Sequence, residues 1–221
     1  MSLSTSSLVF SPLTPASVED VRALCADCFP LKYPDSWFKF VTSDKVYSMG
    51  AFSGDGRLVG MVVADVQRLS VLEGDIGPVL NSVQTDTTSM YILSLGVLTE
   101  YRHLGIGSYL VNSVLTHVSE LKSCFLVYLH VLATNTQAIE FYRRLGFKEV
   151  CSISDYYHIQ NRPAAGLVYC YYSNGGQPFQ NNVCSYTRRY VLESVMCRWT
   201  TSLCGQLYSF LNMLFRKRSS F

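Results

Sequence analysis

The stretch YILSLGVLTEYRHLGIGS, residues 91–108, passes from an apolar run through a small glycine turn into a helical pattern. MYILSLGVL reads as a buried strand, because nine residues contain no charge and alternate bulky side chains. Beyond the turn, Ile106, Leu110, Val111, Val114, Leu115 and Val118 recur at helical spacing and predict an amphipathic helix. Between them lies Arg102-x-x-Gly105-x-Gly107. Two glycines let a backbone approach a ligand closely, and the first amides of the following helix have no partner within it. Such a strand–turn–helix junction suits a pyrophosphate. The turn is not a P-loop, because no Lys-Ser/Thr follows, and it lacks the third glycine of a dinucleotide fingerprint.

Working outward, SSLVFSPL predicts a short first strand. Ser17 with Asp20 reads as a capping box before a helix carrying Val18, Val21, Leu24 and Cys25. FPLKYPDSW (29–37) reads as an aromatic loop broken by two prolines, and residues 45–69 read as a hairpin turning at Asp55-Gly56. EGDIGPVLNSVQTDTTS is a polar excursion before the strand that contains Tyr91. CFLVYLHVL (124–132) is a second buried strand, followed by a helical stripe of Ala138, Ile139, Phe141, Tyr142 and Leu145 that Gly146 ends. FKEVCSI and GLVYCYY close the domain as strands. Strand–helix–strand in the middle implies parallel pairing and the hairpins imply antiparallel pairing, so the expected class is α/β (α+β) with a mixed sheet flanked by helices.

The chain has 221 residues, 48% hydrophobic and 15% charged, which fits a folded domain with an appendage. A net charge of +2 argues against a nucleic-acid binder. That charge is unevenly spread: from Arg188 onward six basic residues stand against Glu193 alone. MSLSTSSLVFSPLTPAS has no basic n-region, so a secretory signal is not expected. Eight cysteines without regular spacing fit a reducing compartment. Cys25-x-x-Cys28 has no second CxxC or histidine cluster beside it, so helix packing is preferred over zinc or redox chemistry and no metal is expected.

About thirty residues after the glycine turn comes NTQAIEFYRRLGF (135–147). R/Q-x-x-G-x-G/A after a strand, followed by N-x-x-A-x-x-F-Y-x-x-x-G-F, resembles the signature pair of the GNAT acetyltransferase superfamily, over roughly residues 8–173. FPLKYPDSW, YLHVL, FYRRLGF, DYYHI and YSNGGQP extend the likeness to the N-terminal acetyltransferases of animal Golgi membranes within it. The resemblance implies a sheet with splayed parallel middle strands and acetyl-CoA as cosubstrate. It also implies that Leu95, Gly96 and Val97 pair with the pantetheine and that His103, Leu104, Gly105, Ile106, Gly107 and Ser108 cradle the pyrophosphate. Asn135, Tyr142, Arg143, Arg144 and Leu145 complete the implied cofactor set. Tyr91 and His130 take the general-base positions, the alternative being a hydrogen-bonded core Tyr and His. Phe29, Pro30, Leu31 and Tyr33 match the peptide-binding turn and Tyr156 and Tyr157 its opposite wall, while Leu93, on the Tyr91 face of its strand, reads as the pocket floor. DYYHI reads alternatively as an aromatic edge strand.

Period-two alternation puts Tyr91, Leu93 and Leu95 on one face of their strand, and Tyr128, His130 and Leu132 on one face of theirs. Neither strand carries a carboxylate. Deprotonating Lys costs roughly 3.5 kcal/mol more than deprotonating an α-amine, so such a site suits an N-terminal amine. Aromatic walls suit an initiator Met. The resemblance implies Met-Lys and Met-Val N-termini of transmembrane proteins that face the cytosol. A lysine or histone acetyltransferase and a catalytically silent membrane adaptor are the rival readings.

The expected division is a catalytic domain over residues 1–182 and a tail over 183–221. In the tail, Leu192, Val195, Met196, Trp199, Leu203, Leu207, Phe210, Leu211 and Leu214 keep helical spacing between basic clusters. Residues 199–215 carry no charge but are too interrupted by polar residues for a membrane span, so an interfacial amphipathic helix is expected. A helix folded back on the domain is the alternative, and Cys197 and Cys204 are available to lipidation. The expected location is the cytosolic face of an intracellular membrane, which the resemblance makes the Golgi. The oligomeric state stays open between a monomer and a weak homodimer.

Overall fold

The computed structural model describes residues 8–29, 33–68, 88–159 and 162–176. Its seven strands form a mixed sheet and are accompanied by four α-helices. They are β1 (Val9–Pro12), α1 (Val18–Cys28), α2 (Asp35–Val41), β2 (Tyr47–Phe52), β3 (Leu58–Arg68), β4 (Thr88–Val97), α3 (Ile106–Glu120), β5 (Cys124–Leu132), α4 (Thr136–Arg144), β6 (Lys148–Ile159) and β7 (Arg162–Tyr172). The chain divides into two compact units, one of Met1–Val66 with Met90–Lys122 and one of Gln67–Ser89 with Ser123–Phe221. The boundary expected at residue 183 and the tail helix lie outside the described residues, as does the polar excursion between residues 69 and 87.

In the first unit, β1 pairs antiparallel with β2, and β2 with β3 as the expected hairpin. Its core gathers Val21, Leu24 and Cys25 of α1, Trp37, Phe38 and Val41 of α2, and residues 59 and 61–64 of β3. Of the stripe read from the sequence, Ile106, Leu110, Val111, Val114 and Val118 of α3 are buried and Leu115 is half-buried. Each such side chain removed from water contributes roughly 1.5–3 kcal/mol. The stripe therefore outweighs the modest helix propensity of its valines.

Two local readings change. Ser17 makes no side-chain cap for α1. A 3₁₀ turn, Pro15–Ser17, precedes the helix, and the Ser17 hydroxyl accepts the Thr14 N–H at 3.3 Å. Part of the expected aromatic loop is helical, because Pro34 sits at the cap of α2 with φ −73. That proline needs no N–H there and leaves the residues after it free to coil, so it starts a helix as well as ending a loop.

In the second unit, β7 lies between β5 and β6, antiparallel to both. β6 runs through DYYHI as one strand, with register shifts between Glu149 and Cys151 and between Ile153 and Tyr157. α4 ends as expected at Gly146 (φ 88): the Gly146 N–H bonds Arg143 O at 3.0 Å and the Phe147 N–H bonds Tyr142 O at 3.1 Å. This pair of bonds is a Schellman cap. After β7 the chain is fastened to the start of β5. The Ser173 N–H bonds Phe125 O at 2.9 Å, and the Asn174 amide donates to Cys124 O at 2.8 Å. A side chain at Gly176 would collide with the Phe125 carbonyl.

Candidate active site

The first unit builds its site from main chain. After β4, the Leu98 N–H bonds Val59 O at 2.9 Å, and a 3₁₀ turn, Thr99–Tyr101, swings the chain round. The Arg102 Nε donates to Val97 O at 3.0 Å and ties the turn back to the strand end. His103 (φ 63) and Gly105 (φ 81) then both take left-handed backbone, and α3 starts at Ile106. The first intrahelical donor is the Tyr109 N–H, bonded to Gly105 O at 3.0 Å. The amides of Ile106, Gly107 and Ser108 precede it and point out of the helix start, where the dipole favours negative charge. A Cβ added at Gly105 would meet nothing within 4 Å, so the space in front of the turn is open. Open left-handed turn, unpaired amides and helix dipole together fit a pyrophosphate.

The strand leading there alternates as expected. Tyr91, Leu93, Leu95 and Val97 are half-buried, while Ile92, Ser94 and Gly96 are buried on the other face. Gly96 is glycine for a packing reason: a Cβ there would lie 3.0 Å from Phe29 Cζ and 3.3 Å from Cys28 Cβ. Phe29 caps α1 through its N–H to Cys25 O at 3.0 Å. Its ring meets Tyr33 edge-on at 6.1 Å, and Tyr33 stacks on Trp37 at 5.1 Å. Burial pushes the Tyr33 hydroxyl pKa up. Pro30 and Leu31 lie outside the described residues. Cys25 is buried and its thiol pKa is pushed up to about 12 by that burial, so it packs and does not ionise near neutral pH.

The second unit builds its site from rings. Tyr128 and His130 lie on one face of β5, and the Tyr128 hydroxyl donates to Gln67 Oε1 at 2.7 Å. His130 meets Tyr128 edge-on, centroids 6.1 Å apart. Tyr156 stacks flat on His130 at 4.3 Å with an interplanar angle of 7°. Tyr157 stands edge-on to Tyr156 at 4.8 Å. Desolvation pushes the His130 pKa down from 6.5 to about 3, which keeps the imidazole neutral at physiological pH.

Other expected cofactor residues have structural duties here. The Asn135 side chain caps α4, accepting the Ala138 N–H at 3.2 Å. Tyr142 is buried between Phe141 and Phe147, and burial raises its hydroxyl pKa. Arg143 pairs with Glu149 at 3.2 Å and lies over the Tyr169 ring. The Arg144 Nε bonds Glu140 O at 3.3 Å, and Leu145 is the C-cap of α4. Sequence reasoning missed Gln67, which holds Tyr128, and the left-handed Asp155 (φ 55) beside Tyr156. It also missed Gly166, where a Cβ would lie 2.9 Å from Tyr156 Cδ1. A glycine inside a strand run was the available signal.

The sequence profile of the acetyltransferase (GNAT) family matches residues 18–147. Over 164 residues the chain is 40% identical to N-alpha-acetyltransferase 60 of Xenopus tropicalis, covering 73% of this chain and 68% of that one. It is 30% identical over 178 residues to histone acetyltransferase MCC1 of Arabidopsis thaliana, covering 77% and 72%. Among solved structures, Arabidopsis thaliana NAA60 in complex with acetyl-CoA superposes with a TM-score of 0.69 at 30% identity, over 76% of this chain and 99% of that one. Arabidopsis thaliana Naa50 in complex with the bisubstrate analogue CoA-Ac-MVNAL gives 0.61 at 27% identity, over 75% and 98%. With a mixed seven-stranded sheet, a phosphate turn that fits acetyl-CoA and these relatives, the chain belongs to the GNAT acetyltransferase family and is an N-terminal acetyltransferase within it.

Proposed function

We propose that the enzyme acetylates the α-amine of Met-starting N-termini, of Met-Lys and Met-Val type, with Tyr91 and His130 handling the proton. Acetyl-CoA, when bound, supplies the thioester that the amine attacks. The chain's own part is then to hold the pyrophosphate on the amides at 105–108, to present the peptide among aromatic side chains, and to take up the ammonium proton. The observation that carries the reading is His130: a neutral, ring-stacked imidazole on a strand without carboxylates. A weakened acceptor of that kind leaves Lys out of reach before it does an α-amine, which is roughly 3.5 kcal/mol easier to deprotonate. The peptide part of the bisubstrate analogue bound to Naa50, MVNAL, supports a Met-Val end.

The likeness to histone acetyltransferase MCC1 supports a second reading, transfer to lysine. One assay separates the two. Peptides beginning Met-Lys or Met-Val are offered with the α-amine free or blocked. Transfer to the free α-amine, stopped by blocking it, is expected. Equal transfer to a blocked peptide with free Lys side chains overturns it.

The tail carries the proposed location, the cytosolic face of an intracellular membrane such as the Golgi, with transmembrane proteins as substrates. Among the described residues no helix is long and apolar enough to cross a membrane. What supports membrane contact is the spacing of apolar residues over 192–214 between Arg188, Arg189 and the cluster of Arg216, Lys217 and Arg218. Each large apolar side chain contributes roughly 1.5–3 kcal/mol on burial, and each basic residue near anionic lipid about 1 kcal/mol. Truncation after Val183 should abolish cosedimentation with anionic vesicles while acetylation of free peptides continues. Cosedimentation that survives truncation locates the contact elsewhere.

A further inference from the structure

Three strands of the second unit meet at the His130 imidazole. On β5, Leu132 pairs with Gly166 of β7, and on β6 Ile153 pairs with the same Gly166. Immediately after Ile153 the register shifts, and Asp155 takes φ 55. The shift delivers the Tyr156 ring onto Gly166, where an added Cβ would lie 2.9 Å from Cδ1 and 3.0 Å from both Cβ and Cγ. The same ring lies flat on His130, at 4.3 Å and 7°. Tyr128 meets the imidazole edge-on, at 76°, and is itself held by Gln67 at 2.7 Å.

A histidine ring turns easily about its terminal torsion, which has broad and roughly two-fold minima. A flat face at stacking distance removes that freedom, because rotation would cost the dispersion contacts of both rings. An edge-on ring at nearly a right angle restrains it from a second direction. The direction of the imidazole nitrogens is thereby set before any substrate arrives, which is what proton transfer at a defined atom needs.

We propose that Tyr156 is a positioning residue whose ring face fixes the plane of the His130 imidazole, and that Gly166 lacks a side chain in order to seat that ring. This rests on the reading of His130 as the proton acceptor. It gives Tyr156 a role separate from peptide binding, in which its hydroxyl would act, and gives Gly166 an influence on turnover at a distance from the reacting atoms. Desolvation is the cause of the lowered His130 pKa, and the Tyr156 ring covers one face of the imidazole.

Three variants of the full chain test it: Tyr156→Phe, Tyr156→Ala and Gly166→Ala. Imidazole resonances are followed by NMR against pH, with His130 assigned from a His130→Phe sample, and steady-state rates are measured with acetyl-CoA and a Met-Val peptide. Tyr156→Phe keeps the ring and should keep the His130 ring-current shift and its low titration point, its loss falling on peptide KM. Tyr156→Ala and Gly166→Ala should lose that shift, bring the titration toward 6.5, and lower kcat about tenfold with the KM for acetyl-CoA held. Tyr156→Ala introduces no clash and decides the matter if Gly166→Ala fails to fold. An unmoved His130 resonance in Tyr156→Ala overturns the positioning role. A moved resonance with unaltered kcat overturns His130 as proton acceptor, and the positioning role with it, while the ring contact stands.

Discussion

The phosphate turn and the histidine site solve their problems with different materials. The turn at residues 102–108 is nearly all backbone: two left-handed residues, an arginine tied to a carbonyl, and amides at a helix start. The site around His130 is nearly all side chain, with two tyrosine rings set against an imidazole by three strands. A backbone site tolerates many side chains but few changes of φ. A ring site tolerates backbone adjustment but few changes of shape. Each therefore fails to a different kind of substitution.

The largest effect is expected where backbone is everything. Gly105→Val forces a β-branched residue into φ 81 and fills the open space before the amides. Calorimetry should find acetyl-CoA affinity reduced by about 100-fold or more, equivalent to about 2.7 kcal/mol, in protein that still unfolds cooperatively. Gly105→Asn, which tolerates left-handed backbone, should lose less. Equal losses would mean that occupied space, and not φ, sets the requirement.

Next come substitutions in the ring site. His130→Phe and Tyr91→Phe keep an aromatic ring and remove proton transfer, so kcat should fall about 10²-fold in each, with acetyl-CoA binding by calorimetry little changed. Near-normal turnover in both removes the proton-handling assignment. Loss of acetyl-CoA binding in either would blur the contrast between a backbone site and a ring site.

The smallest effect is in acid stability. His130 titrates near 3 folded, against 6.5 unfolded. Between those values the unfolded chain binds the proton and the folded chain does not, so its contribution is intact above pH 6.5 and is lost as pH falls toward 3. Urea unfolding across that window should show a shallower acid decline in His130→Phe than in wild type. The acid limb of kcat/KM should instead follow the peptide α-amine, near pH 7.8, and a limb fixed by His130 near 6.5 would contradict the low folded value.

The same contrast explains what could be read in advance. RHLGIG is six consecutive letters, and its meaning depends only on the strand before it and the helix after it, so the turn was legible as it stands. The α3 stripe and the alternation of Tyr91, Leu93 and Leu95 were legible for the same local reason. Gly166 and Asp155 were not, because each matters only through what faces it across the sheet, and the register shift inside β6 that decides this leaves no periodic mark in the sequence. α2 was missed because Pro34 was read as a breaker when its position made it an initiator. Gln67 gave no signal: nothing near it announces a partner sixty-one residues on, the Tyr128 hydroxyl.

The fastening after β7 has a mechanical side. Forty-five residues follow Gly176, and all of them leave from a root bound to Cys124 and Phe125 at the head of the strand that carries His130. A tether's reach and its effective concentration are set by where it is anchored as well as by its length. The root is held to β5 by two hydrogen bonds, from Ser173 and Asn174, and a third, from the Gly176 N–H to Ser173 O, closes the turn beside them. A pull on the chain beyond Gly176 therefore meets these bonds before it reaches β7, which is paired on both sides by β5 and β6.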